Sequence, residues 1–195
     1  LAESFATIYN NSFLPLKRYL DHQSDSLMRV YMTAQMEMQK NKLFYPDANF
    51  TLRVTYGNVK GYNPDDAVQY TYFTTLNGIM EKENPDIYDY VVEEKLKELY
   101  QDEDYGRYGD EDGSLHTCFI ATNHTSGGNS GSPVLDADGN LIGLNFDRCW
   151  EGTMSDIDYD ITQCRNITLD IRYCLFIIDK FAGAGHLVEE MTIVE

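Results

Sequence analysis

Residues 122–148, TNHTSGGNSGSPVLDADGNLIGLNFDR, concentrate the side chains best suited to covalent chemistry. Within this stretch, Gly127-Gly128-Asn129-Ser130-Gly131-Ser132-Pro133 sets glycines on both sides of a serine. Glycine admits backbone paths that a side chain would block, so the turn can aim the Ser130 hydroxyl outward. The same turn can bring the amides of Gly128 and Ser130 to one point, giving two preorganised N–H donors where an oxyanion develops. That layout suits acyl transfer through a serine nucleophile. A bare Gly-x-Ser-x-Gly is equally a hairpin turn. Here Pro133, a strand, a DG turn and a second strand ending in polar residues follow it, and that context favours the nucleophile.

The second strand ends at Asp147-Arg148, and Arg148 lies 18 residues after Ser130 with one hairpin between them. The strand end can therefore return beside the serine. Neighbours on an extended strand point to opposite faces, so Asp147 and Arg148 are expected on different sides. A guanidinium offers an anion a planar, bidentate fork. The competing reading is a surface ion pair between the two.

A serine hydroxyl needs a base, usually a histidine oriented by a carboxylate. The histidines are His22, His116, His124 and His186. His124 lies nearest to Ser130 in sequence, but a structural hydrogen-bonding role is the expectation for it. His116 and His186 have no supporting pattern, and His22 falls on a polar helix face.

The elements that must position these groups change character along the chain. Residues 1 to about 42 read as helical. Leu27, Tyr31, Ala34 and Met38 form one stripe, with Ser24 or Asp25 as N-cap, and the Met-rich face is expected to be core against something outside this sequence. With no initiator Met and an opening inside a helix, the sequence reads as cut from a longer polypeptide. NFTLRVTYG alternates as a half-buried strand, and Tyr70 to Thr75 is a second strand candidate. EEKLKELY reads as a short amphipathic helix. The acidic run QDEDYGRYGDED reads as solvated surface, because it lacks calcium-loop spacing. HTCFIAT, SPVLD, NLIGLNFD and RNITLDI are strands, with Asp138-Gly139-Asn140 turning between the second and third of these. Arg172 to Phe181 is a closing helix ended by Gly183 and Gly185. The sum predicts a mainly β fold with helices, built on a small antiparallel barrel.

The chain has 195 residues and a formal charge of −17, which disfavours nucleic acid as a partner because phosphate binding needs a basic surplus. It also means that any preference for acidic ligands must come from a local cation. No apolar run approaches the roughly 20 residues of a membrane span. No basic segment followed by an apolar block marks a signal peptide. Cys118, Cys149, Cys164 and Cys174 lack metal-ligand spacing. Cys118 and Cys174 read as core, and Cys149 could pair with Cys164. No metal or cofactor is expected. The three Asn-x-Thr sequons at Asn49, Asn123 and Asn166 carry little weight.

GNSGSPV followed by LIGLNFD resembles the nucleophile loop of chymotrypsin-fold peptidases. The longer pattern LNFDR..EGTMSDIDYD....RNI..DIRY.LF.IDK.AGA..L..EM, together with FYPDANFTLRVTYGNVKGY, resembles the bacterial dipeptidyl-peptidase 7/11 family over essentially the whole chain. The resemblance implies an exopeptidase that releases dipeptides from free N-termini, with a double barrel interrupted by a helical domain. This chain would then hold the end of the helical domain (1–45) and the second six-stranded antiparallel barrel with its terminal helix (46–195). Ser130 matches the nucleophile, and Gly128 with Ser130 matches the oxyanion-hole donors. Asp147 matches the carboxylate that holds the substrate α-ammonium. Arg148 matches the position that is Arg in the acidic-specific branch and Gly in the hydrophobic-specific one. Asn145 and Phe146, just before them, complete the expected substrate-binding set.

The triad His and Asp would lie upstream, so the fragment alone would be inactive. The implied partners are the peptide substrate, the first barrel and helical domain of the same polypeptide, and a second copy in a homodimer. The implied location is the periplasm or surface of a Gram-negative bacterium. Two other functions stay open: a glutamyl-type endopeptidase, which has no need of Asp147 for an ammonium, and an inactive binding barrel.

Overall fold

The computed structural model describes residues 2–42, 44 and 50–194. It divides into two compact units, Leu1–Leu52 and Arg53–Glu195. The boundary expected at residues 45 and 46 lies outside the described residues, as does Asn49, the first residue of the expected NFTLRVTYG strand.

The first unit is helical: α1 (Ala2–Ile8), a π-helical turn (Tyr9–Phe13) and α2 (Leu14–Met38). Pro15 lies in the first turn of α2, where its missing N–H and its ring would conflict with an uninterrupted α-ladder; the wider π turn precedes it. Ser24 and Asp25 fall inside α2 and cap nothing, because the helix starts ten residues earlier than the expected cap. The Met-rich face is not covered by the described residues of this sequence. No described residue of α2 is buried, and Leu27, Met28, Met36 and Met38 are all exposed.

The second unit is built on one antiparallel sheet. Its strands are β1 (Phe73–Thr75), β2 (His116–Ala121), β3 (Ser132–Leu135), β4 (Leu141–Arg148) and β5 (Asn166–Asp170), in the order β1-β2-β5-β4-β3. This corrects the six-stranded barrel. Among the described residues five strands form an open sheet, with the three- and four-residue edge strands β1 and β3 at opposite ends. The sixth strand expected at residues 50–57 is replaced by sparse pairing further along. Thr122 N–H donates to Asn58 O (3.0 Å), Lys60 N–H donates to Ile120 O (3.2 Å), and Val59 bridges Ala121. Upstream of that bridge Phe50, Leu52, Val54 and Tyr56 are exposed, so their alternation buries no face.

The core lies on the helical side of the sheet, not inside a barrel. Leu76 of α3 (Leu76–Glu81), Leu96 of α4 (Glu94–Gln101), and Leu175 and Phe176 of α5 (Ile171–Phe176) meet Tyr105, Tyr108 and Leu115 there. The acidic run thus contributes its tyrosines to the interior while its carboxylates stay outside; Tyr108 donates its hydroxyl hydrogen bond to Asp179 at 2.8 Å. α5 starts at an Asp170 cap that accepts the Arg172 N–H, and continues as a π turn (Ile177–Phe181) before α6 (Gly185–Glu189). The four cysteines are free thiols, so the Cys149–Cys164 pairing is absent. Cys164 is buried, whereas Cys118 and Cys174, expected in the core, are only half-buried. Among the described residues no helix is long and apolar enough to cross a membrane.

The tightest approach in the sheet is at Gly143 on β4, where a Cβ would lie 2.4 Å from Thr168 Cγ2 and 2.5 Å from Leu169 O. Backbone oxygen cannot retreat without opening the β4–β5 ladder. Gly143→Ala is therefore expected to destabilise the protein by about 1–3 kcal/mol, read as a lowered midpoint in thermal unfolding.

Candidate active site

The serine loop is a closed, self-bonded turn. Asn129 Oδ1 accepts the Ser126 N–H (2.9 Å), Asn129 N–H donates to Ser126 O (3.2 Å), and Ser132 N–H donates to Asn129 O (3.0 Å). Gly128 and Gly131 take φ of +98° and +81°, the left-handed region that other residues enter only with strain. Gly131 N–H then donates to Asn145 O at 2.7 Å, tying the loop to β4. Among the described residues no acceptor takes the N–H of Gly128 or of Ser130.

A buried amide relay supports this loop from below. Asn145 Nδ2 donates to Asn129 O (3.3 Å), and Asn166 Nδ2 donates to Asn145 Oδ1 (2.9 Å) and to Thr168 Oγ1 (3.1 Å). Asn145, Asn166 and Thr168 are all buried, and the relay uses the Asn166 amide hydrogens while Asn166 Oδ1 is left without a hydrogen-bond partner. Asn145, expected to contact substrate, borders the cleft but commits its amide to holding the loop.

Ser130 is exposed, and its Oγ donates to Phe146 O at 3.2 Å. The β4–β5 register slips between Asn145 and Asp147, so Phe146 is the extra residue of a bulge. A bulge re-aims the residues after it. Beyond it Asp147 pairs with Ile167 and Arg148 with Asn166 in regular register. Asp147 and Arg148 both border one open cleft of about 130 Å³ together with Thr125, Ser126, Gly127, Ser130, Asn145 and Phe146.

Asp147 is exposed, and its Oδ1 accepts the Arg148 N–H (2.8 Å). The Arg148 guanidinium does not pair with it, which removes the simple Asp147–Arg148 ion pair. Instead Arg148 reaches the 3₁₀ turn Trp150–Asp156, donating from Nη1 to Ser155 Oγ (2.8 Å) and Asp156 Oδ1 (2.9 Å), and from Nη2 to Asp156 Oδ2 (2.7 Å). Those bonds hold the Asp156 carboxyl below the usual carboxylate range and push Arg148 further above its ordinary value.

His124 is committed elsewhere. Its Nε2 lies 3.0 Å from Ser155 O, and its ring packs against Tyr159 at 4.6 Å between centroids. His116 stacks on Phe73 and faces Asp110 and Asp112. Among the described residues no group of three or more His, Cys, Asp or Glu side chains is arranged to hold a metal.

Sequence reasoning missed Ser155, Asp156 and Arg165. Arg165 is buried and donates to five carbonyls, those of Lys60, Gly61, Ile161, Thr162 and Cys164, with Tyr62 under its plane at 5.3 Å. It fixes the 150–163 connector against residues 60–61, and that connector carries Asp156. Both Asp156 and Arg165 stand within the EGTMSDIDYD....RNI pattern, so the signal was present without a periodicity to interpret it.

Comparison with known proteins places the chain in a family. The family model for Peptidase S46 matches residues 4–193. An Asp/Glu-specific dipeptidyl-peptidase of Flavobacterium psychrophilum is 56% identical over 98% of this chain and 27% of its own length. A dipeptidyl-peptidase 7 of Phocaeicola vulgatus is 53% identical over 88% of this chain and 24% of its own. The crystal structure of Porphyromonas endodontalis DPP11 in complex with the dipeptide Arg-Glu is similar at a TM-score of 0.78 and 55% identity, over 83% of this chain and 23% of that one. The chain thus spans about a quarter of the length of the curated relatives it matches. It belongs to the peptidase S46 family.

Proposed function

We propose that this chain is the nucleophile-bearing, specificity-reading portion of a serine dipeptidyl peptidase that removes dipeptides ending in Asp or Glu from free peptide N-termini. The observation that carries the reading is the shared cleft: Ser130, Asp147 and Arg148 border the same small space. A hydroxyl, a carboxylate and a guanidinium on residues around one cleft match the three features of such a substrate, its scissile carbonyl, its α-ammonium and its acidic side chain. The names of the relatives support the same specificity, as do the structures of DPP11 bound to Arg-Glu and Arg-Asp.

In this reading Ser130 Oγ attacks the carbonyl carbon of the second residue. The new C–O bond forms as the carbonyl pair moves onto oxygen, where the N–H groups of Gly128 and Ser130 receive it. The hydroxyl proton passes to a base supplied outside this sequence, which returns it to the leaving amine as the C–N bond breaks. Water then repeats the exchange on the acyl ester and frees the dipeptide. Arg148 binds the acidic side chain and Phe146 borders the bound dipeptide.

The open sheet is, on this proposal, one half of a chymotrypsin-like pair of barrels completed by strands outside this sequence. The α1–α2 unit is the end of a helical domain. The exposed apolar side chains of α2 and of residues 50–56 support cover by other parts of the polypeptide. The proposed location is the periplasm or the cell surface, and the proposed assembly is a homodimer.

Asp147 gives the sharpest test of exopeptidase character. In the full-length protein, Asp147→Ala is expected to lower kcat/KM about 10- to 100-fold on a peptide with a free N-terminus, since a charge-assisted contact contributes about 1.5–3 kcal/mol. The loss should fall mainly on free N-termini, with the wild type already inactive on acetylated substrate. Robust turnover of acetylated peptides by the wild type would overturn the dipeptidyl reading in favour of an endopeptidase.

A further inference from the structure

An arginine has five N–H donors, and how they are shared decides what a ligand meets. Here both Nη1 hydrogens are taken, one by Ser155 Oγ and one by Asp156 Oδ1, and one Nη2 hydrogen is taken by Asp156 Oδ2. The end of the fork is therefore closed by a carboxylate of this same chain. The Nε–H and the second Nη2 hydrogen remain, lying side by side on the adjacent edge. Neither has an acceptor among the described residues. Arg148 borders the cleft with Ser130, whereas Ser155 and Asp156 do not; Ser155 and Arg148 together line the space behind it.

We infer that Asp156, with Ser155, is a positioning pair that locks the Arg148 guanidinium so that its Nε/Nη2 edge, and not its end, receives the acidic side chain of the substrate. The inference rests on the assignment of Arg148 to the acidic pocket made above.

The physical argument has two parts. A free arginine side chain has many rotamers, and ordering one on binding weakens affinity. Asp156 meets that cost before substrate arrives, because its paired bonds are charge-assisted and bidentate. The Arg148 side chain is 24% exposed and that of Asp156 50%, so the anchor lies on the solvent side and the guanidinium deeper. The anchor itself stands on a fixed support. The Ser155 carbonyl is bonded to His124, the Ile157 and Asp158 amides donate to Met154 O (2.9 and 3.0 Å), and Arg165 ties down the connector's far end. A substrate carboxylate arriving at the side edge makes two new bonds without breaking any of these.

The test uses the full-length enzyme with dipeptidyl substrates carrying Glu or Leu before the scissile bond, and the variants Asp156→Ala, Asp156→Glu and Arg148→Gly. Asp156→Ala is expected to reduce kcat/KM for the Glu substrate about tenfold, through KM more than kcat. The Leu substrate should change less than twofold, and Asp156→Glu should recover part of the loss. A parallel fall on both substrates would make Asp156 a merely structural residue and overturn the inference. So would a rise on the Glu substrate, which would make Asp156 a competitor for the fork. If Arg148→Gly abolishes acidic preference while Asp156→Ala leaves it untouched, only this inference fails. If Arg148→Gly leaves the preference intact, the pocket assignment itself falls.

Discussion

Replacing Ser130 by alanine in the full-length protein is expected to lower kcat by about 10⁴-fold or more, the scale on which serine peptidases lose turnover without their nucleophile. The substitution should leave the fold intact. Ser130 is exposed, and its hydroxyl makes one bond, to Phe146 O. The loop around it is held by Asn129, Gly131 and Asn145 and needs nothing from the hydroxyl. Product dipeptide should accordingly still bind the variant with wild-type affinity in calorimetry, while labelling by a fluorophosphonate disappears. Residual turnover within tenfold of wild type would remove Ser130 from the chemistry and leave the loop as a glycine-rich turn of a binding module.

The second large effect is expected at Arg148. Arg148→Gly should shrink the ratio of kcat/KM for Glu over Leu substrates by about 10- to 100-fold, the equivalent of one lost bidentate, charge-assisted contact. The geometry adds a further push in the same direction. Without the guanidinium, Asp156 keeps its carboxylate but loses its partner, and a lone negative charge at the edge of the pocket repels an incoming acidic side chain. Apolar side chains gain the vacated volume. Parallel assays on a matched pair of dipeptidyl substrates would show the crossover, and an unchanged ratio would place acid recognition elsewhere.

The parts of this molecule legible in its sequence are those whose cause is local. The strands β2 to β5, the turn around Asp138-Gly139-Asn140 and the helix α4 follow from alternation, turn residues and helical periodicity. The serine loop was legible for the same reason, since its two positive-φ glycines flank the residue they must expose. What escaped reading depends on distant partners. The apolar alternation of residues 50–56 implies a buried face that the described residues do not provide, and whether strands close into a barrel depends on pairings that no periodicity encodes. The slip at Phe146 was hidden too, because a bulge leaves no mark in the composition of LIGLNFDR. Asp156 was hidden because it sits in an irregular turn, brought back to Arg148 by tertiary contacts. The roles of Asn145 and Arg165 came from bonds to backbone carbonyls, which sequence patterns do not mark.

The bond from Ser130 Oγ to Phe146 O has a consequence for when this hydroxyl can react. An amide oxygen accepts a hydrogen bond but is far too weak a base to carry the proton away, so in this arrangement the side chain rests as a neutral alcohol. On the proposed reading, activation requires the O–H to leave Phe146 O and turn toward the base supplied outside this sequence. The contact with Phe146 O is thus a resting state of the hydroxyl, to be exchanged for the base when substrate is attacked.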